Sequence, residues 1–146
     1  MRRGLILLKP VDQTETDPGR GNCLTACLAS IMDLGIDEVP YFRVYDDWWE
    51  LLQEWLRGHG LFAIRVSACP DEVFPTPDVH CILTGLSPRN SVIVTDPDPT
   101  KPSPIVQHSV VGIWRGKDTC MVHDPHPDRT GLAGPVDFVT FLGKLV

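Results

Sequence analysis

The order of hydrophobic periodicities along the chain predicts an α+β fold. Two segments in the N-terminal half repeat apolar residues at helical spacing, most of the stretches with strand character follow them, and proline-rich connections separate several of those strands. Helices followed by a run of strands indicate an antiparallel sheet with helices packed on it, whereas alternating βαβ units make a parallel one. With 146 residues the chain fits one domain, residues 1–146, able to bury a core without disulfide or metal staples.

Arg3 to Lys9 reads as a short strand, and residues 10–21 as a polar loop containing glycine and proline. Asn22 is placed to cap the helix that follows, because its side-chain oxygen can accept from an early helical N–H. Leu24, Cys27, Leu28 and Ile31 then keep the i, i+3, i+4, i+7 rule, which predicts a helix over 23–34 ended by Gly35. Ala26, Ala29 and Ser30 occupy its other faces and suit a helix packed on more than one side. A second helix is predicted from Trp48 to Arg57, with Asp47 and Glu50 as a capping box and Trp48, Leu51, Leu52 and Trp55 as its apolar stripe. The tryptophans read first as a hydrophobic face rather than a ligand platform. Gly58 and Gly60 stop this helix, and the pattern then changes to that of strands. Strands are expected at Leu61–Val66, His80–Thr84, Val92–Thr95, His108–Trp114, Thr119–His123 and Phe138–Leu142. The segment 95–107 carries Pro97, Pro99, Pro102 and Pro104 and cannot continue a ladder, so it reads as an exposed, semi-rigid loop.

Composition removes several function classes. A net charge of −6 offers no basic stripe to displace counterions from a phosphate backbone, so nucleic acid is not an expected partner. The longest apolar run near the N-terminus, Leu5 to Leu8, is far short of a membrane span and of a secretion signal, which predicts a cytoplasmic protein with no membrane partner. Five cysteines at irregular spacing do not make a secreted disulfide framework and are expected as free thiols. The acidic balance mildly favours basic or neutral targets.

The stretch GNCLTACLASIM, residues 21–32, carries the first chemical candidate. A thiol becomes a nucleophile when its pKa falls, and a helix N-terminus and a neighbouring imidazole both lower it. Cys23 stands in the first turn, where unpaired N–H groups point outward; Cys27, one turn deeper, lies on the apolar stripe. Both cysteines as plain core residues is the competing reading. The second candidate is the hairpin HSVVGIW–RGKD–TCMVHDP. Folding it back on itself brings His108, at the start of one strand, beside Asp124, at the end of the next. A general base and the carboxylate that orients it need that proximity. His123 alternates away from Asp124, and His126, beyond Pro125 in a turn, reads as a surface or hydrogen-bonded histidine that can line a cleft rim. Gln13 is the glutamine ahead of Cys23 whose side-chain amide can donate to an oxyanion alongside the Cys23 backbone N–H.

Taken together, Gln13 in QTETDPGRGNC, Cys23 at the head of CLTACLASIM, His108 opening HSVVGI and Asp124 before proline in VHDPHP resemble the papain-like cysteine peptidases. They are most like the double-glycine leader peptidases of bacteriocin exporters and their stand-alone relatives; GNCLTACLASIMDLGIDEVPYF and VHDPHPDRTGL also resemble stretches of small bacterial and phage proteins. The likeness runs from about residue 11 to 132. The gap from glutamine to cysteine is longer here than in that family, Gly-Asn precedes the nucleophile, and no transporter segment follows, so a free-standing enzyme is expected.

The resemblance implies a papain-like domain in which the nucleophile helix packs on the sheet bearing His108 and Asp124. It implies a cysteine hydrolase (peptidase, isopeptidase or amidase, with transamidation open) acting on a peptide or amide-containing substrate without cofactor or metal. Asn22, Trp49, Trp114 and His126 are candidates for the substrate groove, with the 95–107 loop beside them. Two other classes stand beside this one. One is a binding protein on the same scaffold with the triad unused. The other is a metal protein using Cys23, Cys27 and His108, or His108, His123, Asp124 and His126.

Overall fold

The computed structural model describes residues 8–16, 21–69, 79–89 and 106–146. It is α+β: two helices and a five-stranded antiparallel sheet. Helix α1 spans Cys23–Met32 and α2 spans Trp48–Gly58. The strands are β1 (Leu61–Ser67), β2 (His80–Leu86), β3 (Gln107–Ile113), β4 (Cys120–His123) and β5 (Val136–Lys144), in the spatial order β1-β5-β2-β3-β4. The C-terminal strand therefore enters the sheet beside β1 and β2, and β3 and β4 form one edge as a hairpin.

Every residue of α1 from Leu24 to Ser30 is buried, which is why the helix alternates leucines with alanine, serine and threonine. Small residues let it approach β2 and β3 closely, while Leu24, Cys27 and Leu28 join Val39, Phe42, Leu52, Leu56, Ala63, Ile82 and Val111 in one core. A second core, built from Cys81, Leu83, Val110, Trp114 and Val139, is a separate cluster of the same sheet. Burying a Leu or Val side chain stabilises by roughly 1.5–3 kcal/mol, so the first cluster holds the sheet to its helices, while the second joins strand and loop residues only.

Several expectations need correction. Helix α1 ends at Met32 because Asp33 takes the left-handed conformation (φ 57°, ψ 47°), two residues before Gly35, whose own φ of −73° is ordinary. Asn22 makes no side-chain cap, because its amide is drawn to the preceding loop. Asp47 likewise makes no side-chain cap on α2, so the Asp47–Glu50 box is not formed. Leu8 and Lys9 are not in a strand, and the rest of the strand expected from Arg3 lies outside the described residues, as do Val92–Thr95 and most of the 95–107 loop. Gln107, assigned to that loop, opens β3. Trp114 lies in the second core, 7% exposed. It follows β3 at the end opposite His108, about 20 Å away at some 3.3 Å per residue, and so takes no part in the cleft described below. No helix among the described residues is long and apolar enough to cross a membrane.

Candidate active site

Cys23 is the first residue of α1 and lies at the mouth of a cleft of about 290 Å³. The cleft also receives His108 and Ser109 from β3, Gln13 from the N-terminal strap, and Trp48 and Trp49 from α2. Trp48 and Trp49 pack on the helix core as well as lining the cleft, so the hydrophobic-face reading covers only half of what they do.

A register shift brings Asp124 to His108. Ile113 stands opposite Cys120 and Gly112 opposite Met121, but Val111 stands opposite His123. The extra residue in β4 flips its alternation, so that Asp124, the next residue, falls opposite Val110 and on the same side of the ladder as His108. In the unshifted register it would face the other way. The shift occurs at a glycine for a steric reason: a Cβ on Gly112 would lie 2.3 Å from Leu83 Cδ1 and 2.7 Å from the Cys120 carbonyl.

The result is a hydrogen-bonded row. His108 Nε2 lies 2.7 Å from Asp124 Oδ1, with both side chains almost wholly removed from solvent. That leaves the other ring nitrogen, Nδ1, for the hydrogen bond His108 makes with the Cys23 sulfur. Asp124 is itself held, because the His126 N–H donates to Oδ1 (2.9 Å) and the Gly131 N–H to Oδ2 (2.7 Å). Gly131 has φ of 75°, a left-handed conformation that glycine adopts freely.

The electrostatics follow from this geometry. Burial pushes the Cys23 thiol up, but the hydrogen bond and charge of His108 and backbone bonds with Ser109 and Leu24 outweigh it, leaving the thiol below its ordinary value. Burial alone would lower His108, but its bonds to Asp124 and Cys23 raise it to about 9. Burial raises Asp124, and its bonds to His108 and to the His126 and Gly131 N–H groups bring it below the ordinary carboxylate range. A lowered thiol beside an imidazole raised by Asp124 and then by the sulfur is the arrangement that favours a thiolate–imidazolium pair. Cys27, fully buried, is pushed well above its ordinary value, first by burial and then by Cys23 and Asp124, and stays a thiol.

Gln13 is carried by a strap that is tied on both sides. The Val11 N–H donates to Ser30 Oγ of α1 (2.9 Å), and His123 Nε2 donates to the Val11 carbonyl (3.0 Å). The Gln13 N–H donates to the Pro125 carbonyl (3.0 Å), and Arg129 grips Asp12 through two bonds of 2.6 and 2.7 Å while also reaching the Asp124 carbonyl. Asn22 fixes the far end: its Oδ1 accepts from the Thr14 and Glu15 N–H groups (3.0 Å each), and its Nδ2 donates to Thr14 Oγ1. Asn22 is absent from the cleft lining, so its part is to hold the Gln13 strap rather than to contact a ligand. Gln13 is buried; its Nε2 donates to the Glu15 carbonyl (2.8 Å) and keeps a second hydrogen, while Oε1 finds no partner among the described residues.

The structure thus brings together Gln13, Cys23, His108, Asp124, Trp49 and His126, and leaves out Trp114 and Asn22. His126 lines the cleft, its ring centroid 6.3 Å from that of His108, with Nδ1 accepting from the Asp128 N–H (3.1 Å). His123 faces away, to Val11 and Asp12. Among the described residues no three His, Cys, Asp or Glu side chains are grouped to hold a metal ion. The sequence reading missed Thr84, Ser109 and Thr140, buried polar residues that line the cleft from three adjacent strands, Thr84 and Ser109 sharing a hydrogen bond of 2.9 Å. It also missed Arg43 and Arg65, which line the same cleft. A polar residue on an otherwise apolar strand face was the available signal for the first three.

No family model, curated protein or solved structure matches this chain.

Proposed function

We propose that the protein is a papain-like cysteine hydrolase that cleaves a peptide, isopeptide or other amide through a thioacyl intermediate. The observation that carries this reading is the row Cys23–His108–Asp124 at the head of a helix, its His and Asp buried and its sulfur opening on a cleft. The likeness noted in the sequence, drawn from the same residues and Gln13, agrees with it.

The Cys23 thiolate attacks the carbonyl carbon, and the C–S bond forms as the carbonyl oxygen takes up negative charge. The backbone N–H of Cys23 and the second hydrogen of Gln13 Nε2 are the donors for that oxygen. The C–N bond then breaks, and the amine leaves with the proton that His108 carried on Nδ1. Neutral His108 next takes a proton from water, whose oxygen attacks the thioester; the C–S bond breaks, releasing the acid and restoring the thiolate–imidazolium pair. Asp124 fixes the imidazole through Nε2 and stabilises its protonated form.

The test is the pH dependence of alkylation by iodoacetamide, with the modified cysteine mapped by mass spectrometry. Cys23 is expected to react at a rate that is half-maximal below the pH of a free thiol, ahead of the exposed Cys120, with a second change near pH 9 as His108 loses its proton. In His108→Ala the Cys23 profile should return towards the ordinary thiol range. An ordinary Cys23 profile in the unaltered protein would overturn the reading. Turnover is checked on pooled acyl-aminomethylcoumarin amides, where Gln13→Ala should lose about 10²–10³ in rate if its amide serves the oxyanion. The same variant should keep its iodoacetamide rate, since that displacement develops no oxyanion.

A further inference from the structure

The cleft beside Cys23 is cationic although the chain as a whole is acidic. Asp and Glu outnumber Lys and Arg, 19 to 13, yet the described lining includes Arg43, Arg65 and Arg89 and no carboxylate. Arg89 is matched, forming a 2.9 Å ion pair with Asp128 and a bond to Thr130. Arg43 and Arg65 are not. Neither forms an ion pair with any described carboxylate. Instead both lie over the Trp48 ring, with guanidinium carbons 4.6 and 5.5 Å from its centroid, and Arg65 also lies over Phe138 at 4.1 Å.

Stacking satisfies the flat face of a guanidinium and leaves its in-plane N–H groups free to bind. Two like charges gathered on one ring also repel. Arg65 shows this, its pKa lowered by partial burial and then by the charge of Arg43. Arg43 is exposed and Asp46 and Asp47 are near it in sequence, yet its guanidinium lies over Trp48. A bound anion removes the repulsion and matches the unused donors, and a carboxylate does so in the planar, two-pronged geometry that guanidinium groups favour.

We propose that Arg43 and Arg65, stacked on Trp48, form a carboxylate-binding subsite of the Cys23 cleft, so that the amide substrate carries an acidic group near the bond that is cut. This rests on the reading of Cys23 as the nucleophile. It reverses the mild preference for basic or neutral targets that net charge alone suggested, because the local field of the cleft, not the distant surface, meets the ligand. The carboxylate comes either from an acidic side chain or from a chain terminus.

Three alkylating probes separate these cases: N-chloroacetyl-glutamate α-amide, N-chloroacetyl-glutamine with a free α-carboxylate, and the neutral N-chloroacetyl-glutamine α-amide. At low ionic strength one acidic probe is expected to label Cys23 about tenfold faster than the neutral one, the factor that one good charge-assisted contact supplies. Which acidic probe wins identifies the source of the carboxylate. In the double variant Arg43→Gln, Arg65→Gln, with folding checked by circular dichroism, the ratio of acidic to neutral rates should fall towards that of a small thiol in solution. The His108 charge is common to both proteins and cancels in the comparison. Equal ratios in the two proteins would overturn the subsite. Slow labelling by all three probes would instead count against the nucleophile. Binding of N-acetyl-glutamate α-amide and N-acetyl-glutamine to the Cys23→Ala protein, followed by tryptophan emission against neutral N-acetyl-glutamine α-amide, then decides the subsite alone: preferential, arginine-dependent binding of either acid upholds it, and its absence ends it.

Discussion

Cys23→Ala is expected to reduce amide turnover by about 10⁶, to the background of the cleft alone, the scale on which losing the nucleophile of a catalytic unit is felt. The thermal midpoint should hardly move, because Cys23 is partly exposed at the first turn of α1 and its replacement opens no sealed cavity. Cys27→Ser should show the reverse pattern. That sulfur is fully buried in the helix core, and a hydroxyl there costs about 1–3 kcal/mol when it finds no new partner. Turnover per folded molecule should survive. The two substitutions sit one helical turn apart and remove the same kind of atom, so the contrast separates a chemical role from a packing role within one experiment. Rates on a cleaved amide and urea midpoints for both variants are the required measurements. Equal turnover in the unaltered and Cys23→Ala proteins would remove the hydrolase reading altogether.

What the sequence made legible was what depends on local period and short-range folding. Both helices were recoverable because their apolar residues repeat every three or four positions, and β1, β2, β3, β4 and β5 because short runs rich in apolar and β-branched residues stand between proline- and glycine-containing breaks. The meeting of His108 and Asp124 was recoverable from hairpin geometry, but only in part. Hairpin folding brings the two positions together, whereas the side each residue faces depends on the extra residue in β4, and that in turn depends on Leu83 and the Cys120 carbonyl crowding Gly112. A contact between strands distant in sequence leaves no periodic trace. The same holds for Asn22. Asparagine before a helix is a good cap by preference, yet here the Thr14 and Glu15 N–H groups compete for its oxygen and win, turning a cap into the clasp of the Gln13 strap. Trp114 was misplaced for a simpler reason: the length of β3 carries the residue that follows it about 20 Å from His108. Arg43 and Arg65 were invisible because they are 22 residues apart and meet only through Trp48.

Asp124→Ala is expected to damage stability and chemistry together, and the way the two losses divide is informative. The carboxylate accepts from His108 Nε2 and from the His126 and Gly131 N–H groups, and alanine leaves all three without it in a buried setting. Removing one partner of a buried charged pair costs about 3–5 kcal/mol, enough to lower the urea midpoint sharply. Asp124→Asn keeps the volume and an acceptor but loses the charge, so the fold should survive better while the imidazolium does not. Its His108 should titrate lower, its Cys23 thiol higher, and its turnover should fall by about 10⁴, the scale of losing the carboxylate that orients a catalytic imidazole. Acid stability supplies the separate sign. The Asp124 pKa is lowered on folding, so its stabilisation is present above the ordinary carboxylate value of 3.8 and is lost as pH falls through the lower folded value. Asp124→Asn should therefore lose less stability than the unaltered protein on acidification through that range. If Asp124→Asn unfolds no less steeply in acid and leaves the Cys23 alkylation profile where it was, the carboxylate only anchors the 124–131 loop, and the row from Asp124 to the sulfur carries no charge to the nucleophile.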